Sequence, residues 1–311
     1  MKVAFLVNYS ANDNQAEKRW NTIKGDVLSG FPADTIIIGY TIPFDTEGCI
    51  KMLMKDQGVD CFISAGGDGS INRILNSIMN LKLAGTPAAH LGAIGLGSSN
   101  DFLKPVSNSI KGFPVKINLN KSMAADVGKV SFVNALDERI TRYFIVNASI
   151  GITAEANLLF NTGDFFLDKA KRVSVKTAIL YAALKTIIRY RNKSVQIEYN
   201  NVMRKMNITN ISVIKNPNIS GSFCYDQLIL PGDGLLGLNY CHDMNKRELV
   251  ATLMDLSKGK FSGKKKRISE WVKQCKIDTE ELLALETDGE VMLAKNIDFS
   301  IIPGAISIAG N

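Results

Sequence analysis

Residues 66–70 read Gly-Gly-Asp-Gly-Ser, straight after the apolar run Val59-Asp60-Cys61-Phe62-Ile63-Ser64 and straight before a helical pattern. Three glycines let backbone N–H groups approach a phosphate in conformations that a Cβ would forbid. The helix that follows adds its N-terminal N–H donors and the positive end of its dipole. Asp68 sits between those glycines, where its charge would repel a phosphate unless a cation lay between the two. A glycine-cradled aspartate at a strand-to-helix turn therefore points to a nucleoside triphosphate carried with Mg²⁺. The same residues also suit an ordinary tight turn whose aspartate caps the next helix, so this loop alone does not decide.

A second loop of similar chemistry follows the short strand His90–Gly95: Leu96-Gly97-Ser98-Ser99-Asn100-Asp101-Phe102. It offers a glycine, two hydroxyls, an amide and a carboxylate. Asp68 and Asp101 are one crossover apart in a parallel α/β arrangement, where both would face one crevice at the strands' carboxyl ends. Two such loops are far more specific than one. Only two histidines, His90 and His242, are present, each in or beside an apolar run. A histidine zinc site or a Ser-His-Asp triad is thus disfavoured, and acid–base work falls to carboxylates.

The elements that must position these loops alternate. Strands are predicted at 2–7, 35–40, 59–64 and 90–95, with helices at 13–29, 46–57 and 70–81. In the last helix Ile71, Ile74, Leu75 and Ile78 fall on one face. Strand–helix alternation with short connections implies a parallel sheet covered on both sides. From about residue 121 short strand-like runs dominate, at 127–133, 143–149, 195–199, 207–214 and 235–241, broken by Lys215-Asn216-Pro217-Asn218 and Pro231-Gly232-Asp233-Gly234. These read as a mainly antiparallel β domain. Helical patterns span 171–192 and 245–257. The expected fold is therefore an α/β nucleotide-binding domain, 1–122, and a β-rich domain, 123–297. The final strands, about 298–311, are expected to return to the first domain.

Composition fits a globular chain: 311 residues, 46% hydrophobic and 22% charged. The five cysteines are scattered, without a CxxC pair, which suits a reducing cytoplasmic compartment. The opening apolar run, Val3–Val7, is too short for a signal peptide, and no stretch reaches the ~18 apolar residues of a spanning helix. The net charge of +7 is uneven, because residues 1–120 contribute only +1.

The residues resemble the diacylglycerol kinase catalytic family, the soluble bacterial lipid kinases related to sphingosine and ceramide kinases. Gly66-Gly67-Asp68-Gly69-Ser70-Ile71-Asn72 matches the family's GGDGT-x-N. Gly95-Leu96-Gly97-Ser98-Ser99-Asn100-Asp101-Phe102 matches its P-x-GTGNDF less closely. Ala125-Asp126-Val127-Gly128, Phe144–Gly151, Pro231-Gly232-Asp233-Gly234-Leu235-Leu236 and Thr287-Asp288-Gly289-Glu290 resemble its later motifs, in order. The resemblance implies that Asp68, Asp101 and Asp126 hold the water network around a catalytic Mg²⁺. It implies ATP contacts from Asn8, Thr41, Gly66, Gly67, Asp68, Gly69, Ser70, Asn72, Gly97, Ser98 and Asn100. Asp288 would be the general base toward a lipid hydroxyl. Asp233, with the carbonyls of Leu230 and Leu235, would hold a second, structural Mg²⁺. The chain departs from the pattern at Tyr9, Arg73, Gly95 and Ser99, which bears on nucleotide preference more than on reaction type.

Two basic runs bear on the acceptor. Residues 169–193 hold eight basic side chains and no acidic one, and Lys258–Arg267 holds six. Such runs suit an anionic bilayer surface, with Leu158-Leu159-Phe160 and Phe165-Phe166-Leu167 placed to meet acyl chains. They equally suit a helix packed by its apolar face and a solvated loop. Aromatic interleaving is missing, which argues against nucleic acid. The expectation is an ATP- and Mg²⁺-dependent lipid kinase, cytoplasmic and peripherally membrane-associated, with a homodimer left open. The rivals are a kinase of a soluble substrate and a catalytically weak lipid- or nucleotide-binding relative.

Overall fold

Strand β1 (Val3–Asn8) is buried at every position in the computed structural model, as a strand covered on both faces must be. The structure describes residues 1–86, 89–162 and 175–311. The chain divides into two units, Met1–Ala125 with Gly304–Asn311, and Asp126–Pro303.

In the first unit β1 pairs in parallel with β2 (Ile36–Tyr40) and β3 (Cys61–Gly66), and β3 pairs in parallel with β4 (His90–Gly95). Ser307 and Ile308 lie parallel beside β4, while β5 (Phe113–Lys116) joins it antiparallel. Helix α1 (Ala16–Leu28) buries Ala16, Trp20, Ile23 and Val27, and the Trp20 ring lies 5.9 Å from Phe5 of β1. Helix α2 (Thr46–Gln57) begins where the Asp45 carboxylate accepts Gly48 N–H at 2.9 Å and ends at Gly58, φ 67°. Helix α3 (Asp68–Leu83) starts two residues earlier than its apolar spacing predicts. Gly67 carries no capping side chain, so Asp68 and Gly69 themselves form the first helical turn. The glycine loop and the helix N-terminus are thus one structure.

Strand β6 (Asn118–Val133) leads the chain into the second unit, where the described pairings are antiparallel. It forms a hairpin with β7 (Arg139–Phe144). The apolar run 143–149 does not form one strand: it breaks between β7 and β8 (Asn147–Gly151). The backbone N–H groups at the break turn instead to a side-chain carboxylate, described below. Strands β9 (Lys193–Tyr199) and β10 (Val202–Ile214) join through Asn200-Asn201, both at positive φ as a two-residue hairpin turn requires. The far half of β10 pairs with β8 and with β11 (Leu236–His242). Strands β12 (Arg267–Val272), β13 (Gln274–Asp278) and β14 (Leu283–Thr287) complete the sheet with β15 (Glu290–Gly310). The core gathers Phe144, Tyr199, Tyr240 and Phe299. Helices α4 (Ile152–Thr162), α5 (Val175–Arg189) and α6 (Lys246–Leu256) accompany the sheet, the last opening with an Asn245–Glu248 capping box. The expected contacts from Phe165-Phe166-Leu167, and the basic residues 169–172, lie outside the described residues. Among the described residues no helix is long and apolar enough to cross a membrane.

Candidate functional site

The two glycine loops of the first unit meet backbone to backbone. Leu96 and Gly97 both donate their N–H to Gly66 O, at 2.8 and 3.0 Å. A Cβ added at Gly97 would lie 2.4 Å from Gly67 Cα, closer than any side chain tolerates. Asp68 joins the loops a second time: Oδ2 accepts Asp101 N–H and Oδ1 accepts Phe102 N–H, each at 3.0 Å. Asp68 is therefore a cap, though of the short 3₁₀ turn Asp101–Leu103 in the other loop, not of its own helix. Asn100 sits at φ 52° and its Oδ1 accepts Gly97 N–H at 3.1 Å.

The remaining predicted nucleotide residues surround this junction. Asn8, the last residue of β1, donates to Ser70 Oγ at 2.9 Å and accepts Ser10 N–H at 3.0 Å. Asn72 is buried one turn into α3 and accepts from Asn76 Nδ2 at 3.1 Å. Ser98 and Thr41 are exposed, Thr41 just beyond β2. Asp101 is buried and ion-paired with Lys104 at 2.7 Å. Tyr9, at the departure in the first loop, lays its ring against Gly39, where a Cβ would come within 2.2 Å of the Tyr9 hydroxyl.

Two cations missed from the sequence brace the second loop. Arg19 of α1 donates to Leu96 O and Gly97 O, both at 3.0 Å. Lys116 of β5 donates to Phe102 O at 2.9 Å and lies 4.9 Å from the centre of the Phe102 ring. Burial lowers the Lys116 ammonium below its usual value. Arg19 lies 77 residues from Leu96 and Lys116 lies 14 residues beyond Phe102, so neither shares a motif with the loop it serves.

In the second unit Asp288 and Gly289 form a two-residue turn, φ 45° and 96°, between the paired residues Thr287 and Glu290. Asp-Gly is the pair such a turn favours. The turn aims the buried Asp288 carboxylate at the break between β7 and β8. Oδ2 accepts Ile145 N–H, and Oδ1 accepts the N–H groups of Val146 and Asn147, all at 2.9 Å. Three backbone donors hold the carboxylate in one position.

Glu286, two residues earlier and fully buried, escaped the sequence reading. Its Oε2 accepts from Asn147 Nδ2 at 2.8 Å and Ser149 Oγ at 2.7 Å, and its Oε1 accepts Gly289 N–H. Burial pushes Glu286 up to about 7, and the charge of Asp288 adds to this against those donors. The one available signal was a glutamate inside the otherwise apolar run Leu283-Ala284-Leu285-Glu286-Thr287.

The Asp233 turn holds an ammonium group. Lys215 Nζ contacts Asp233 Oδ1 at 2.8 Å, Leu230 O at 2.9 Å, Leu235 O at 3.0 Å and Asp126 Oδ2 at 3.2 Å. These are the three residues expected to bind a structural Mg²⁺, together with Asp126. Asp126 Oδ2 also accepts Gly234 N–H at 2.7 Å. Against the burial that would raise it, Asp233 is held below the usual carboxylate range by Lys215 and by the N–H groups of Leu230 and Leu235. Among the described residues no group of three or more His, Cys, Asp or Glu side chains gathers as a metal-ligand set.

The basic run 258–267 is docked onto the second unit. Lys266 pairs with Glu248 at 2.8 Å, Arg267 pairs with Asp255 at 2.8 Å, and Phe261 is buried. Asp226 accepts the N–H groups of Phe261 and Ser262. Lys258, Lys260, Lys264 and Lys265 remain exposed. On α5, Ala178 and Ala182 pack beside Leu159, Phe160 and Tyr181 of the same cluster, whereas Leu180, Leu184 and Ile188 are exposed.

Two domains of this architecture, each with an aspartate-glycine turn held by backbone donors, define a class that the comparisons identify. Residues 2–130 match the diacylglycerol kinase catalytic domain, and residues 147–310 match the YegS C-terminal NAD kinase beta sandwich-like domain. The chain belongs to the diacylglycerol kinase catalytic family. A Staphylococcus aureus (strain MSSA476) protein named "Putative lipid kinase SAS0691" is 24% identical over 276 residues, 87% of this chain and 83% of that protein. The equivalent protein of strain MW2, MW0688, matches to the same extent. A crystal structure of a diacylglycerol kinase from Bacillus anthracis str. Sterne shares the fold at TM-score 0.68 and 18% identity, covering 100% of this chain and 97% of that one.

Proposed function

We propose that this protein uses ATP with Mg²⁺ to phosphorylate the hydroxyl of a diacylglycerol-like lipid at a membrane surface. The observation that carries the lipid reading is the outer face of α5. Leu180, Leu184 and Ile188 recur at i, i+4 and i+8 and are 48%, 39% and 65% exposed. A soluble-substrate kinase has no use for an apolar stripe facing water. A helix lying on a bilayer does, with Lys185 and Arg189 beside the stripe to meet anionic headgroups.

The nucleotide is assigned to the first unit. Its loops offer bare backbone N–H groups and the exposed Ser98 hydroxyl as donors for phosphate oxygens. Asp68 and Asp101 would hold the water shell of the Mg²⁺, which when bound neutralises charge on the transferring phosphoryl group. The base toward the acceptor hydroxyl is assigned to Asp288. Phosphoryl transfer needs positioning more than covalent help, and a carboxylate fixed by three N–H donors is positioned by backbone, not by a rotamer.

The test is transfer from γ-labelled ATP to a panel of acceptors: diacylglycerol, ceramide and sphingoid bases in mixed micelles, with sugars and NAD as soluble controls. The expected result is a phosphorylated lipid identified by mass. Label only in a soluble product overturns the lipid assignment. Nucleotide binding with no transfer to any acceptor overturns the kinase assignment.

A further inference from the structure

We propose that Lys215 is a built-in cation that takes the place of a divalent metal at the Asp233 turn, so that this turn folds without bound metal. The donor set is that of a hard-cation site: one carboxylate oxygen of Asp233, one of Asp126 and the carbonyls of Leu230 and Leu235. Oxygen-rich sets of this kind hold Mg²⁺ at about 2.0–2.1 Å or Ca²⁺ at about 2.3–2.6 Å. Here the oxygens stand 2.8–3.2 Å from a nitrogen, the spacing of ammonium hydrogen bonds. A metal at the same point would have to expel a like charge whose side chain is only 1% exposed.

The lysine is fixed from both ends. It follows directly on β10, and its own N–H donates to Val146 O at 2.8 Å, with Asn216 N–H on the same oxygen at 3.0 Å. The turn is fixed independently, because Asp126 N–H donates to Pro231 O at 2.7 Å. Two carboxylates, one of them only 2% exposed, need a counter-charge to be buried together. Lys215 supplies one charge, and the N–H groups of Leu230, Gly234 and Leu235 supply dipoles.

The proposal does not depend on the acceptor or on catalysis, and it is tested by melting nucleotide-free protein with EDTA or with millimolar MgCl₂ or CaCl₂. The wild-type midpoint is expected to be the same in all three. A metal site held at a hundred times its Kd would instead shift it by about 5–10 °C for a unit of this size. In Lys215→Ala the uncompensated carboxylates lower the midpoint, and added Mg²⁺ or Ca²⁺ recovers it. Should that variant fail to fold, wild type and Asp233→Asn decide the matter alone. A wild-type midpoint that falls on chelation, and a response that Asp233→Asn abolishes, would overturn the proposal. So would a Lys215→Ala protein as stable as wild type and indifferent to metal.

Discussion

Replacing Glu286 by glutamine removes a buried group that titrates near neutrality, and the effect on stability has a definite sign. In the unfolded chain this glutamate takes up its proton near 4.5, whereas in the folded protein burial moves that event to about 7. Between those values the folded state binds more protons than the unfolded one, so stability falls as pH rises. The contribution is complete below about 4.5 and lost as pH climbs through about 7. At about 1.36 kcal/mol per pH unit, that interval amounts to about 3 kcal/mol, or a midpoint change of about 6–12 °C. Glu286 is 1% exposed, so solvent screening reduces this little. Glutamine cannot titrate, and its single acceptor oxygen serves the donors Asn147, Ser149 and Gly289 less well, which lowers stability by about 1–3 kcal/mol at every pH. The diagnostic is therefore the slope and not the offset. Calorimetric melts from pH 5 to pH 8 should show wild type losing stability relative to Glu286→Gln. Parallel pH profiles would refute the buried, near-neutral glutamate.

Three further outcomes follow from the geometry. Gly97→Ala forces a Cβ against Gly67 and should destabilise the first unit by about 1–3 kcal/mol, with Mg·ATP affinity falling as the loops part; unchanged affinity in titration calorimetry counts against the paired-loop reading. Asp68→Asn leaves only one good acceptor for the N–H groups of Asp101 and Phe102, at about 1–3 kcal/mol, and should weaken Mg·ATP binding more than it lowers the melting midpoint. Leu184→Asp combined with Ile188→Asp should reduce co-sedimentation with anionic vesicles and lipid turnover while leaving ATP affinity intact. Equal vesicle binding by this variant would remove α5 from the membrane-facing role.

Much of the first unit was legible because its signals are local. The strand at 90–95, the helix at 46–57 and the glycine loop each follow from a short window of apolar spacing and turn residues. What the window could not give was how the loops engage, since the Asp68 carboxylate acts on N–H groups thirty-three residues away. In the second unit the break at Ile145 and Val146 was invisible for the same reason: its cause is Asp288, 141–143 residues further along the chain. Asp288 itself was readable twice, as a hairpin residue and as a candidate base, and the structure has it in a two-residue hairpin turn with Gly289. The later strands, Arg267–Val272 to Leu283–Thr287, were missed because each run is only five or six residues long, although Gln274–Asp278 alternates exposed and buried. Lys215 was hidden in a stretch whose Asn-Pro-Asn announces only a turn. Its role is set by four oxygens from two other stretches of chain, Asp126 and the turn 230–235.

The most direct test of the kinase account compares wild type with Asp288→Asn in mixed micelles of diacylglycerol and anionic lipid, with Mg·ATP saturating and folding checked by melting. Asparagine accepts the positive φ of the turn but cannot take a proton. The account predicts γ-phosphoryl transfer to the lipid hydroxyl by wild type and a loss of about 10²–10⁴-fold in turnover for the variant. Lipid phosphorylation at wild-type rate by a folded Asp288→Asn protein would contradict it.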